Sequence, residues 1–467
     1  MSWSREEILL ATGGKILREG KDGVFGEVVT DSGKVQRGSV FIALRGERFD
    51  GHDFLREAIR RGAACLVVHK RPGVSRLKET AVIRVRDTLR ALGDLAHYRR
   101  KMLAPKVLAI TGSNGKTTTK EMVAAILERA SIQGRSLRGR VLKTEGNFNN
   151  LVGLPLTLLR LQGGERVAVL ELGTSRPGEI RRLTEIADPD IGLITSVTPA
   201  HLAGLKSLAG VAREKGELFR GMNPRGLAVV NLDDRWVGRL GEKFKGEKIT
   251  YGSSGEVRGE SRRSLGAKGT EFTLRVGKER KRIRLRFSGE HNFANAVGAA
   301  AMAYGLGADM EAVRKGLQAV RPFPMRMALE RWQGIGIIND AYNANPASME
   351  AALKTLVEIE ARREKIAVLG DMLELGRESR KSHLELGKRV ARYRIDRLYL
   401  LGEQALQVKQ GALLGGMKKE RVIIGKNHRE IARLVRGQAK RGDWLLFKGS
   451  RSMKMEKVLE ALKEMGG

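Results

Sequence analysis

Thr111-Gly112-Ser113-Asn114-Gly115-Lys116-Thr117-Thr118-Thr119 follows the apolar run Lys106-Val107-Leu108-Ala109-Ile110 and opens a helix-like stretch that continues to about Ala130. Strand, glycine turn and helix start together form a phosphate cradle. Glycines let backbone N–H groups turn inward and approach an anion closely. The helix N-terminus adds partial positive charge at the same place. Lys116 is placed to reach the β/γ-phosphates of a nucleotide and Thr117 to offer its hydroxyl to Mg²⁺, with Gly112, Ser113, Asn114, Gly115 and Thr118 completing the cradle. The usual pattern needs a glycine five residues before Gly115, where this chain has Ile110. The loop is therefore a shortened Gly-x-x-Gly-Lys-Thr-Thr form. An ordinary Gly/Asn turn would need no lysine between Gly115 and three threonines, so phosphate binding is the stronger reading.

Outward from this loop the chain alternates strand-like and helix-like segments. Upstream, residues 40–44 and 64–69 read as strands with an amphipathic helix over 53–61 between them, and Leu103-Ala104-Pro105 reads as a linker. Downstream, apolar strands are expected at 107–110, 167–172, 191–197 and 227–232, separated by helices. That order implies a parallel sheet covered by helices. Residues 271–276 and 282–287 flank Gly277-Lys278-Glu279-Arg280-Lys281 and read as a hairpin with a five-residue turn. After Arg321-Pro322-Phe323-Pro324 the alternation resumes, with strands expected at 335–339, 366–369, 397–401, 422–424 and 444–447. The expected fold is α/β with three domains. Residues 1–104 form a small α/β domain. Residues 105–323 form a central P-loop-type domain, a mostly parallel sheet with helices on both faces. Residues 324–467 form a Rossmann-like domain.

Composition narrows the classes. The 467 residues are 41% hydrophobic and 30% charged, which suits a protein with a buried core. The lone cysteine, Cys65, excludes an internal disulfide framework; it lies in Ala63-Ala64-Cys65-Leu66-Val67-Val68 and is expected in a buried strand, as suits a reducing cytoplasm. Met1-Ser2-Trp3-Ser4-Arg5-Glu6-Glu7 carries no long apolar run, so no signal peptide is expected. No stretch approaches about 18 uncharged apolar residues, so no membrane insertion is expected. Eighty-seven Lys and Arg against 53 Asp and Glu give a net charge of +34, which raises nucleic acid or another polyanion as a partner. Aromatics are 5% of the chain and do not interleave with the basic patches, so base-stacking platforms are not indicated. Acidic residues are interspersed with the basic ones, which favours a solvated charged surface.

Further polar residues fall at the carboxyl ends of strands, the edge at which open α/β sheets bind ligands. Glu171 ends Val169-Leu170-Glu171 and can hold Mg²⁺ beside the phosphate loop, though taken alone it reads as the partner of a nearby arginine. His201 follows residues 191–197; taken alone, it reads as structural. Lys215, in a helix-like run, reads as surface charge. Asn292 and Asn295 share one helix face, where they can meet a purine edge or cap the helix. Asp340 leads into Ala341-Tyr342-Asn343-Ala344-Asn345-Pro346, and Asp371 and Lys448 end later strands in the same way.

Taken together, the phosphate loop and several longer stretches resemble the Mur ligase family. These stretches are Thr30-Asp31-Ser32, Phe41 through Phe54 with Asp50-Gly51-His52 inside it, Thr144-Glu145-Gly146-Asn147-Phe148-Asn149-Asn150, Tyr342-Asn343-Ala344-Asn345-Pro346 and Leu369-Gly370-Asp371-Met372-Leu373-Glu374-Leu375-Gly376. The likeness runs from about residue 30 to 456. It implies a cytoplasmic, monomeric ATP- and Mg²⁺-dependent amide ligase of peptidoglycan precursor synthesis. Its substrates would be UDP-MurNAc-tripeptide and D-Ala-D-Ala, joined through an acyl phosphate, and nucleic acid would not be a partner. The roles it implies are positional. Lys116, His201 and Lys215 would be catalytic. Thr117, Glu171, His201 and a carbamylated Lys215 would serve the metal. Asn292, Asn295, Arg326 and Asp340 would join the loop in holding ATP. Asp31, Ser32, Asp50, Gly51, His52, Thr144, Asn147 and Asn150 would meet the muramyl nucleotide, and Tyr342, Asn343 and Asn345 the dipeptide. The chain departs from the family at Ser196, where Asn is usual, at Thr198, where Gly is common, and at Ala203, where an acidic residue is common. The rivals are another amino-acid ligase of the same family and a basic P-loop NTPase acting on nucleic acid; the second should carry a nucleic-acid-binding module, and none is apparent.

Overall fold

Strand parity builds the central layer. In the strand Lys106–Thr111, Leu108 and Ile110 point to one face and Val107 and Ala109 to the other, and all four are fully buried. Val169 and Leu193 join the first face; Ala168, Leu170 and Ile194 join the second. A strand apolar on both sides needs helices on both sides. Helices Lys116–Leu127, Glu290–Gly305 and Met310–Ala319 cover one face, and Gly153–Leu158, Glu179–Ala187, Leu208–Gly221 and Arg235–Glu242 the other. The computed structural model describes residues 2–46, 48–71, 73 and 79–465. Glu47, within the stretch quoted above from the first segment, lies outside them, as do the ends of the first and last segments.

The central sheet has nine strands in the order Val141–Lys143, Val167–Glu171, Lys106–Thr111, Ile191–Ile194, Leu227–Asn231, Glu247–Tyr251, Val257–Ser264, Thr270–Val276 and Glu279–Leu285. Pairing is parallel as far as Val257–Ser264 and antiparallel for the last two pairs. The phosphate-loop strand lies between Val167–Glu171 on one side and Ile191–Ile194 on the other. Chain order reverses there, and a crevice opens at the carboxyl edge.

Two smaller sheets flank it. The first runs Lys15–Arg18, Ala81–Arg84, Cys65–Val68, Val40–Ile42, Val28–Val29. The last runs Ala328–Trp332, Ile335–Asn339, Trp444–Lys448, Lys365–Gly370, Arg397–Leu401, Val422–Ile424. Each is parallel except for one antiparallel edge pair. Helix Thr88–Leu103 serves two cores: Ala91, Leu92 and Leu95 pack into the first unit, while Ala96 and Leu103 pack into the central one.

Local differences from the sequence reading have physical causes. The hairpin turn is two residues, since Val276 pairs with Glu279. Gly277 has φ +57°, the conformation that a tight turn demands at its first central position. Charged Glu279 to Lys281 therefore belong to the edge strand, where they guard against edge-to-edge pairing. The first-domain helix begins as a 3-10 turn, Gly51–Phe54, before Leu55–Arg60. Val141–Lys143, Glu247–Tyr251 and Val257–Ser264 gave little signal because they are short or one-sided; in the last, Val257 is the fully buried residue.

Candidate active site

The phosphate loop is shaped by what surrounds it. Gly112 has φ +148° and Gly115 φ +82°. A Cβ at Gly112 would run into the Thr195 side chain, and one at Gly115 into the Asn295 amide. Both positions therefore demand glycine for conformation and for space. Helix Lys116–Leu127 starts at Gly115 with no side-chain cap, leaving its first N–H groups available to an anion. Lys116 Nζ folds back to donate to the Gly112 carbonyl at 2.8 Å. Burial pulls its pKa below the usual lysine range; Glu171 opposes the shift and Arg326 adds to it.

The loop is clasped by residues 195–198. The Ser113 hydroxyl donates to the Thr198 carbonyl and accepts from the Thr198 N–H, each at 2.9 Å. Asn114 Nδ2 donates to Thr198 Oγ1 at 3.0 Å, and Thr195 Oγ1 donates to the Asn114 carbonyl at 2.5 Å. Ser196 and Thr198, two of the departures from the family pattern, thus bond directly to the loop.

Hard oxygen donors gather beside it. Thr117 Oγ1 donates to Glu171 Oε2 at 2.7 Å, Asn149 Nδ2 donates to Glu171 Oε1 at 2.8 Å, and Thr144 Oγ1 accepts from the Glu171 N–H at 3.0 Å. A hydroxyl at the start of helix Lys116–Leu127 and a carboxylate at the end of strand Val167–Glu171 fit a hard dication that completes its shell with water and phosphate oxygens. Lys120, one turn beyond Lys116, is buried and donates to the Thr144 carbonyl. His201 stands apart from Glu171: its Nδ1 pairs with Glu374 Oε2 at 2.5 Å, across from the third unit. That bond holds the Glu374 carboxyl below the usual carboxylate range. Among the described residues no cluster of three or more His, Cys, Asp or Glu forms a ready metal site.

Lys215, on helix Leu208–Gly221, is 1% exposed and has no hydrogen-bond or ion-pair partner among the described residues. Burial pushes its amine well below the lysine range; the Lys116 cation adds to the shift and Glu214 opposes it. A lowered pKa favours the unprotonated, nucleophilic form of the amine, the form that carbamylation requires. Glu214 accepts instead from the Gly178 and Ile180 N–H groups, at 2.7 and 2.8 Å.

The third unit faces the loop. The Arg326 guanidinium lies 3.7 Å from the Tyr342 ring centroid, so it stacks on that ring. Met325 and Met327 on either side have φ +59° and +53°, and the Tyr342 N–H donates to the Met325 carbonyl at 3.1 Å, which fixes the turn presenting Arg326. Asp340 accepts from the Met327 N–H at 3.0 Å and pairs with buried Lys448 at 2.5 Å. Asn345 Nδ2 donates to Asn114 Oδ1 at 2.7 Å. Asn295 lies against Gly115, while Asn292 donates to the Ser288 carbonyl at 2.9 Å and is buried. Asn343 is spent locally on the Ala344 N–H at 2.9 Å.

The remaining residues lie further out. Asp31 caps the turn Ser32–Lys34, and the Ser32 hydroxyl donates to Glu57 at 2.9 Å. Asp50 bonds the His52 N–H and ring nitrogen and Lys70; the His52 backbone N–H chiefly holds its carboxyl far below the usual range. Gly51 leaves no room for a Cβ against Leu44. Asn150 accepts from the Val152 and Gly153 N–H groups, and the Asn147 carbonyl accepts from the Asn149 N–H. The sequence reading left Asn149, Lys120 and Glu374 out of the site. The signals were there: a run of amides after Thr144, a lysine at i+4 from Lys116, and a lone acid in the apolar run Leu373-Glu374-Leu375.

Residues 110–303 match the Mur ligase middle domain, residues 325–451 the Mur ligase glutamate ligase domain, and residues 25–100 the Mur ligase family catalytic domain. The chain is 36% identical over 454 residues to UDP-N-acetylmuramoyl-tripeptide–D-alanyl-D-alanine ligase of Escherichia coli, covering 96% of each. It superposes on a crystal structure of MurF from Acinetobacter baumannii with a TM-score of 0.91 and 33% identity, covering 99% of each chain. MurF from Thermotoga maritima in complex with ADP aligns with a TM-score of 0.82 at 28% identity, over 94% of this chain and 97% of that one.

Proposed function

We infer the chemistry from the premise that this chain belongs to the Mur ligase family. It is an ATP-dependent, ADP-forming amide ligase that adds D-alanyl-D-alanine to UDP-N-acetylmuramoyl-tripeptide in peptidoglycan precursor synthesis. This sets aside both the single-amino-acid ligase and the nucleic-acid NTPase readings. One observation carries the site reading: Lys116 and the Thr117–Glu171 pair meet at the Gly112 and Gly115 turn, with Arg326 of the third unit close enough to depress the Lys116 pKa.

A carboxylate is a poor acyl donor because its leaving group would be oxide. The terminal carboxylate of the tripeptide takes the γ-phosphoryl group and becomes an acyl phosphate. The amine of D-Ala-D-Ala then attacks the acyl carbon, loses a proton and expels inorganic phosphate. Lys116, the free N–H groups of its helix and Arg326 neutralise phosphate charge as it shifts between oxygens. Thr117 and Glu171 would hold Mg²⁺, which supplies further charge neutralisation when bound. A carbamate on Lys215 would turn a buried amine into an anion, which the Lys116 charge favours where it disfavours an ammonium. His201, held by Glu374 through Nδ1, would offer its other ring nitrogen to the metal. Asn295 and Asp340 would border the nucleotide, with Asn292 supporting the helix behind them. Thr144, Asn147, Asn150 and the residues around Asp31, Ser32 and Asp50 to His52 would line the muramyl nucleotide's path, and Tyr342 and Asn343 the dipeptide's.

The segments 1–104, 105–323 and 324–467 serve as acceptor, nucleotide and dipeptide units respectively. The enzyme works as a cytoplasmic monomer. No helix among the described residues is long and apolar enough to cross a membrane. The test is phosphate release with D-Ala-D-Ala and muramyl tripeptides ending in diaminopimelate or in lysine. Release that needs both substrates supports the reading; stimulation by single-stranded nucleic acid instead would refute it.

A further inference from the structure

One side chain of the third unit reaches into the phosphate loop. Asn345 sits at the N-cap of helix Pro346–Glu358, where its Oδ1 accepts from the Ser348 N–H at 2.9 Å and its own N–H donates to the Ser348 hydroxyl at 2.9 Å. Its Nδ2 leaves the helix and donates to Asn114 Oδ1 at 2.7 Å. The other end of the Asn114 amide donates to Thr198 Oγ1 at 3.0 Å. Both ends of that amide are therefore engaged, one by the central unit and one by the third. Asn114 is the residue before Gly115, so restraining its side chain adds to the bonds that Thr195 and Ser196 make to its backbone carbonyl and N–H. Undocking the third unit removes one of the two partners that fix it.

We propose that Asn345 is a positioning residue for the phosphate loop rather than a contact of the dipeptide. Docking of the third unit sets the Asn114 amide and holds the loop ready for phosphate. A nucleotide in the loop favours the docked arrangement by the same free energy, because such coupling is reciprocal. The proposal rests on the reading that the loop takes a nucleotide.

Asn345→Ser tests it, because serine keeps the helix cap but is too short to cross to Asn114. A hydrogen bond between neutral groups predicts an ADP affinity, in the presence of Mg²⁺, weaker by about two- to tenfold. The KM for D-Ala-D-Ala and the thermal midpoint without nucleotide stay unchanged. Small-angle scattering shows less compaction on adding ADP than in the wild type. In an Asn114→Ala background the Asn345→Ser effect on ADP vanishes, as it must if the two residues act through one another. A raised dipeptide KM with unchanged ADP affinity would overturn the proposal, and so would an undiminished Asn345→Ser effect in the Asn114→Ala background. A wild-type protein that binds no ADP would defeat the nucleotide reading itself. Wild-type binding that Asn345→Ser leaves unaltered defeats the positioning role alone.

Discussion

Burial acts on two lysines of the site, Lys116 and Lys215. Lys116 is held by the Gly112 carbonyl and keeps a partner; Lys215 has none among the described residues. We expect Lys116→Ala to lower turnover by about a hundred- to a thousandfold, as loss of a charge-stabilising donor does, while the circular dichroism spectrum and thermal midpoint hold; normal turnover would remove the assigned role. Lys215→Ala should be inactive and partly restored by added short carboxylic acids, and unaided full activity would exclude a carbamate there. The third residue-scale prediction concerns His291. Burial pulls its pKa down to about 4, mildly opposed by Asp340. The unfolded chain then binds a proton below pH of about 6.5 that the folded chain refuses until about 4. Its contribution is present above the unfolded value and is lost as pH falls through that window. Urea midpoints at pH 7 and 5 should differ less for His291→Gln than for the wild type, and an equal difference would contradict the assignment. At this scale the sequence named Lys116 and Thr117 because they follow motif spacing, and Glu171 through the family resemblance. It could not show that Glu374 would meet His201, since that pair is 173 positions apart and depends on how two units dock.

Elements were legible where both faces of a strand are apolar. Residues 107–110 and 167–171 are buried on both sides and were readable as continuous apolar runs. Val257–Ser264 was not, because one charged face and a bulge between Glu260 and Arg263 erase the pattern. The expected five-residue hairpin turn failed for a related reason: charge suggested loop where the edge strand carries it. Cys65 is the clearest success, fully buried in its strand with burial pushing the thiol up to about 12. Native protein should therefore resist a thiol reagent that labels it fully after denaturation; fast native labelling would show that the strand opens. The loop glycines give the sharper functional test at this scale. Gly115→Ala places a methyl against Asn295 in a left-handed backbone, so nucleotide affinity should fall well before global stability does. Calorimetric binding beside a urea titration separates the two.

Across the whole molecule, charge and chemistry are kept apart. Residues 257–286 carry eleven Lys or Arg against Glu260, Glu271 and Glu279. Much of this lies on the last strands of the central sheet, six strands along the hydrogen-bonded order from the strand that carries the phosphate loop. Screening at physiological salt acts over about 8 Å. Replacing Arg280, Arg282 and Arg284 together with Gln should leave kcat/KM within about twofold at that salt; a large loss would mean that the patch takes part in substrate capture. The central and third units meet through polar contacts that include Asn345 with Asn114, Glu374 with His201, and Glu358 with Arg262 at 2.7 Å. Short motifs cannot announce such pairs, which is why the three units were readable in the sequence and their docking was not. All of this chemistry serves one step, the activation of a carboxylate by phosphoryl transfer. The direct measurement is to label both oxygens of the tripeptide's terminal carboxylate with heavy oxygen and to weigh the phosphate released on joining D-Ala-D-Ala. An acyl phosphate places one heavy oxygen in every phosphate formed, whereas unlabelled phosphate accompanying complete product would contradict the account.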